Sequence, residues 1–62
     1  MFYTLHLKSG EEFGIRSTQS FEQLCDYIKS SDKYVEFVQD DNYGNYVMVD
    51  VNQISSFCGN NA

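Results

Sequence analysis

The side chains that could do chemistry in this 62-residue chain are few and scattered. His6 is the only histidine, and Cys25 and Cys58 are the only cysteines. A zinc site needs Cys and His ligands grouped at short spacings, and no such group exists here. Serines and threonines are plentiful, but no local signature sets a histidine base beside one of them. Gly10 and Gly14 do not form a phosphate loop, because no strand, glycine loop and helix follow one another with a lysine in place. The run Asp40-Asp41-Asn42-Tyr43-Gly44-Asn45 invites comparison with a calcium loop. Counted from Asp40, the position that demands glycine is Asn45, and the one that demands a bidentate glutamate is Val51. The run therefore reads as a solvated hairpin turn. A chain this short also has little volume for a pocket. The expectation is a non-enzymatic protein with no catalytic residues, no metal ligands and no cofactor.

The elements that would carry these side chains can be placed by periodicity. Ser20 to about Ser30 reads S-F-E-Q-L-C-D-Y-I-K-S. Phe21, Leu24, Cys25 and Ile28 fall on one face of a 3.6-residue period. Ser20 and Gln23 have capping-box spacing, and Glu22 and Lys29 suit the two ends of the helix dipole. A helix of about eleven residues is marginal alone, so its stripe needs a sheet to cover. Residues 2–8 alternate, with Tyr3, Leu5 and Leu7 on one side and Phe2, Thr4, His6 and Lys8 on the other. Residues 12–16 resume the alternation with Phe13 and Ile15. For both strands to share an apolar face, paired positions must sum to an even number, as when Leu7 faces Phe13 and Leu5 faces Ile15. That parity predicts a three- or five-residue loop, or a bulge, around Gly10. Residues 34–39 and 46–51 are two more strands, joined by the acidic turn, and Ile54 with Phe57 allows a short fifth strand or one helical turn.

The order is thus β-β-α-β-β, with or without a fifth strand: an α+β domain whose antiparallel sheet carries one helix on one face. The domain should span residues 1–58, and 59–62 should fray. The expected core is Leu5, Leu7, Phe13, Ile15, Phe21, Leu24, Cys25, Ile28, Val35, Phe37, Val47, Val49 and Ile54. Residues 1–15 lack a continuous apolar run, so no secretory leader is expected, and no stretch approaches a membrane span. Two cysteines do not make a disulfide scaffold, although the sequence leaves a Cys25–Cys58 bridge open. A reducing, cytoplasmic setting is expected.

Nine acids oppose four bases, for a net charge of −5, which works against binding to phosphate backbones. Phe2, His6, Tyr34, Val38, Tyr46 and Met48 are expected to share the sheet face turned away from the helix, with Thr4, and with Lys8, Arg16, Glu36 and Asp50 interrupting it. A solvated sheet face is normally polar. This one carries large amphipathic groups of the kind enriched at interfaces. A domain this short is also near the limit of independent folding. A homodimer is therefore expected, built on that face or on an adjoining strand edge.

The opening Y-T-L-H-L-K-S-G-E-E-F-G-I and the segment Y-V-M-V-D-V-N-Q-I-S-S-F resemble, in layout, many short uncharacterised proteins of Gram-positive bacteria and their phages. The resemblance implies a phage or prophage context and action by binding to a host protein, as an inhibitor or an adaptor. Two other readings stand beside it. Aromatics on an exposed sheet could stack single-stranded bases, making the chain a nucleic-acid-associated regulator. Its acids could instead imitate a nucleic-acid backbone. The stripe yields a stability prediction: Leu24→Ala should cost ~2–5 kcal/mol, most of what a core of this size supplies. An unchanged urea midpoint would remove Leu24 from the core.

Overall fold

The structure, a computed structural model, describes residues 1–60. β1 (Phe2–Leu7), β2 (Glu12–Arg16), α1 (Phe21–Ser30), β3 (Tyr34–Gln39), β4 (Tyr46–Asp50) and β5 (Ile54–Asn60) follow one another, with a single 3-10 turn at Val51–Gln53 before β5. All neighbouring strands are antiparallel, in the order β4-β3-β2-β1-β5. The α+β architecture with one helix between β2 and β3 is therefore as the periodicity implies.

α1 starts where its cap is written. Gln23 N–H donates to Ser20 Oγ at 3.2 Å, and Ser20 N–H donates to Gln23 Oε1 at 2.9 Å. These reciprocal bonds satisfy two donors that the helix itself cannot. At the other end the hydroxyls of Ser30 and Ser31 both donate to Tyr27 O.

The β1–β2 hairpin keeps the expected parity but shifts the register by two residues. Leu5 faces Phe13, and Tyr3 faces Ile15. The cause is the turn. Gly10 N–H donates to Leu7 O at 3.0 Å, Leu7 N–H donates to Glu11 O at 2.9 Å, and Gly10 takes a φ of 96°. That is a three-residue loop closed by a glycine in the left-handed region, where a side chain would be strained. Lys8 lies in this loop and not on the strand.

The shift brings Tyr3 into the core. Its ring is 3% exposed, and its hydroxyl donates to Gln19 O at 2.6 Å. Leu5, Ile15, Leu24, Val35, Phe37 and Val49 complete the buried set, and Leu7, Phe13, Ile28, Val47, Val51, Ile54 and Phe57 pack around it. Of the expected core, Leu7, Phe13, Cys25, Ile28, Val47 and Ile54 are only partly buried, and Phe21 is exposed. Phe21 lies at the start of the helix over the sheet margin and stays 41% exposed, while Cys25 is half-buried. Cys25 and Cys58 are both free thiols.

The largest departure from the sequence reading is β5. It is a seven-residue strand that pairs with β1 from Leu7↔Ile54 to Phe2↔Asn60. Gly59 and Asn60, assigned above to a fraying tail, are strand residues; positions 61 and 62 lie outside the described residues. Pairing makes β1 an inner strand and carries Phe57 onto the helix-covered face. The Phe57 ring stacks at 5.3 Å on Tyr3, 5.6 Å on Phe21 and 5.7 Å on Phe37. β3 and β5 are three places apart in the sheet, so this contact requires the sheet to curl around its core. Phe57→Ala should therefore cost ~3–5 kcal/mol, enough to unfold a core of this size. A far-UV spectrum and urea midpoint like those of the wild type would contradict this role.

Candidate functional site

Directly paired residues on neighbouring strands lie on the same face of a sheet, so the ladder decides which outer-face residues meet. One row runs across four strands: Tyr46 faces Val38, Val38 faces Arg16, and Arg16 faces Phe2. On the β3–β4 pair, Glu36 faces Met48 and Tyr34 faces Asp50. Five of the six expected residues (Phe2, Tyr34, Val38, Tyr46 and Met48) thus share the strands and rows around Arg16 and Glu36.

His6 stands apart from them. It lies at the far end of β1, opposite Glu12 on one side and Ser56 on the other, with the Thr4 row between it and Phe2. Its Nδ1 is 3.5 Å from Glu12 Oε1, and the pair is solvent-accessible. Such a pair is worth little energetically. His6 thus lies on the expected outer face, at its far end from Tyr46 and Met48.

The patch is open to solvent. Tyr46 is 70% exposed, Met48 64%, Tyr34 57% and Phe2 40%, while Val38 is half-buried. A shallow depression of about 550 Å³ opens at one end, lined by Met1, Phe2, Arg16, Ser17, Thr18 and Val38. Arg16 interrupts the patch as expected, and the register sets it in the middle of the longest row. Its guanidinium extends along the face to the β3–β4 turn, where Nη2 lies 3.5 Å from the position of a Cβ on Gly44. Gly44 has a φ of 63°, so the turn itself calls for glycine.

Because β2 ends at Arg16, the lower half of β3 has no neighbour on that side. The Glu36 N–H that would have met β2 donates instead to Tyr27 Oη at 3.0 Å, from the helix on the other face. Nothing in the periodicity of residues 34–39 signals this bond, since it depends on where β2 stops.

The acidic turn is built from its own chain. Asp41 Oδ1 accepts from Tyr43 N–H at 3.0 Å and Asn45 N–H at 3.2 Å, and Oδ2 accepts from Asn45 Nδ2 at 3.1 Å. The Asp41 carboxylate is thereby committed to shaping the hairpin that presents Tyr46. Among the described residues no group of three or more His, Cys, Asp or Glu side chains is arranged to hold a metal ion. No helix in the same residues is long and apolar enough to cross a membrane.

The chain matches no family model, no curated protein and no solved structure.

Desolvation pushes the Asp41 carboxyl up, but bonds from the backbone of Asn45, Tyr43 and Gly44 and from the Asn45 side chain outweigh it. The net effect holds the carboxyl below the usual aspartate value. A lowered folded value means that the stabilising contribution is present above the unfolded value and is lost as pH falls through the folded one. In an acid titration followed by NMR, the Tyr43 and Asn45 amides should move with a midpoint below 3.8. A midpoint above it would show that these bonds do not hold the turn.

Proposed function

We propose that this chain is a small non-enzymatic protein-interaction module that self-associates and docks a partner protein on the outer face of its sheet. The observation that carries the reading is the exposure of Phe2, Tyr34, Tyr46 and Met48 on a face that the core does not need. Rigid aromatic groups supply large contact area with little ordering cost, methionine adapts its shape to a partner, and aromatic anchors dominate binding energy where they are desolvated.

Charge narrows the partner. Residues 34–50 contain Glu36, Asp40, Asp41 and Asp50 and no lysine or arginine. Glu36 and Asp50 sit directly opposite Met48 and Tyr34. An acidic frame around tyrosine rings favours a surface with lysine or arginine among its apolar groups, through both steering and cation–π contact. The same acids, and a net charge of −5, oppose a nucleic-acid strand. In a phage or prophage setting such a module blocks or redirects a host protein.

The test uses the wild type and a Tyr46→Glu/Met48→Lys variant as baits in a bacterial lysate. Any protein retained is identified, purified and titrated against both. The variant should bind about tenfold more weakly or worse, the equivalent of ~1.4 kcal/mol, with its urea midpoint unchanged. Equal affinity for the two would remove the outer face from the interaction.

A further inference from the structure

We propose that two copies of this chain join edge to edge through β5, turning two five-stranded sheets into one of ten strands. The inference rests on the self-association part of the reading above and locates that contact away from the outer face.

The backbone bonds show which groups the edge leaves open. Leu7 N–H donates to Glu11 O, and Ser17 N–H donates to Met1 O. Odd-numbered residues of β1 therefore bond to β2, and even-numbered ones bond to the other neighbour, since directions alternate along an antiparallel strand. Phe2, Thr4 and His6 face Asn60, Cys58 and Ser56. The N–H and C=O groups of Phe57 and Gly59 consequently point away from β1, along the open edge, while Ser55 is the extra residue of the bulge and its hydroxyl donates to His6 O.

Proteins normally guard such an edge with charge, proline, a bulge or short length. β5 is seven residues long and contains neither charge nor proline, and its register irregularity is confined to its first residues, between His6 and Leu7 of β1. The opposite edge, β4, is shorter, ends in Asp50 and follows the Asp40-Asp41 turn. In a chain of net charge −5, the acid-free edge is where a second copy can approach without setting like charges opposite each other.

The apolar flank fits the same occupant. The aromatic stack ends at this edge, with Phe57 half-buried and Phe21 41% exposed beside it. A twofold axis through Phe57 pairs it with the partner's Phe57 and lays Gly59 beside the bulge at the partner's Ser55. The open groups of the two Phe57 residues then bond to each other, and each ring stack continues into the other copy. The twofold runs perpendicular to the sheet, so both helices lie on one side and both outer faces stay free for a partner.

The register is specific enough to test. It places Cys58 directly opposite the partner's Ser56 in a non-hydrogen-bonded pair, where Cα atoms approach to ~4.5 Å and a disulfide can form. In a Cys25→Ser background, Ser56→Cys should give a covalent dimer under mild oxidation, whereas Cys58 alone should not, because the two Cys58 residues are then diagonal. Ser56→Lys/Cys58→Lys alters two exposed side chains and should convert the dimer to a monomer in light scattering with an unchanged far-UV spectrum. Tyr46→Glu/Met48→Lys should leave the dimer intact. A wild-type mass of one chain across the micromolar range would overturn self-association altogether. A dimer that survives the lysine pair but is lost in the Tyr46/Met48 variant would overturn the edge and move the contact to the outer face. A covalent dimer from Cys58 alone would overturn the register.

Discussion

The structure depends on one side chain near the end of the chain. Phe57 touches Tyr3, Phe21 and Phe37, and so ties β1, α1 and β3 to β5 through a single set of stacked rings. Offset stacking of this kind adds to the area each ring buries. A domain this small has few buried side chains to share the work. Among the described residues its buried core is Tyr3, Leu5, Ile15, Leu24, Val35, Phe37 and Val49. The rings close the otherwise open end of that set, between the start of the helix and the margin of the sheet. Gly59 belongs to the same arrangement: a Cβ there would lie 3.4 Å from the Phe21 ring, so the strand can run close beneath it.

The two faces of the sheet have divided their roles. The helix side holds the aliphatic and aromatic core, and its polar groups are accounted for: Tyr3 Oη reaches Gln19 O, and no buried side-chain N or O atom among the described residues lacks a partner. The outer side holds exposed rings, Met48, one arginine and several acids. The exposed rings and Met48 lie outside the buried core, and their exposure has a cost in solubility that the net charge of −5 offsets. Large apolar area held in water on a small acidic domain is the physical basis for reading this face as a docking surface.

Curling also decides the edges. β2 pairs with β3 only at Ile15↔Gln39 and Arg16↔Val38, while Phe37 of β3 and Phe57 of β5 stack over the core. The Tyr27 hydroxyl fills the gap that this short pairing leaves at Glu36. What remains unpaired is β4, framed by acids, and β5, which carries no charge.

The sequence by itself determined the local elements. The capping box Ser20/Gln23 and the Phe21, Leu24, Cys25, Ile28 stripe specify α1 through contacts three and four residues apart. The alternation in residues 2–8, 12–16, 34–39 and 46–51 specifies four strands and the face each turns to the helix, although Lys8 falls in the first turn and Val51 in the 3-10 turn. Even the parity of the first hairpin follows, because a slip of one residue would turn every apolar group outward. Parity does not choose between registers two residues apart. That choice came from the Gly10 turn, which set Tyr3, already on the Leu5 and Leu7 side by alternation, directly opposite Ile15. β5 was less legible still. Ile54-Ser55-Ser56-Phe57-Cys58-Gly59-Asn60 has weak alternation and small polar residues, and its strand character comes from the partner it finds in β1. The same holds for the separation of His6 from Tyr46 and Met48. Alternation assigns a residue to a face, but only the strand order and register say which residues on that face are neighbours, because they depend on pairings between segments distant in the chain.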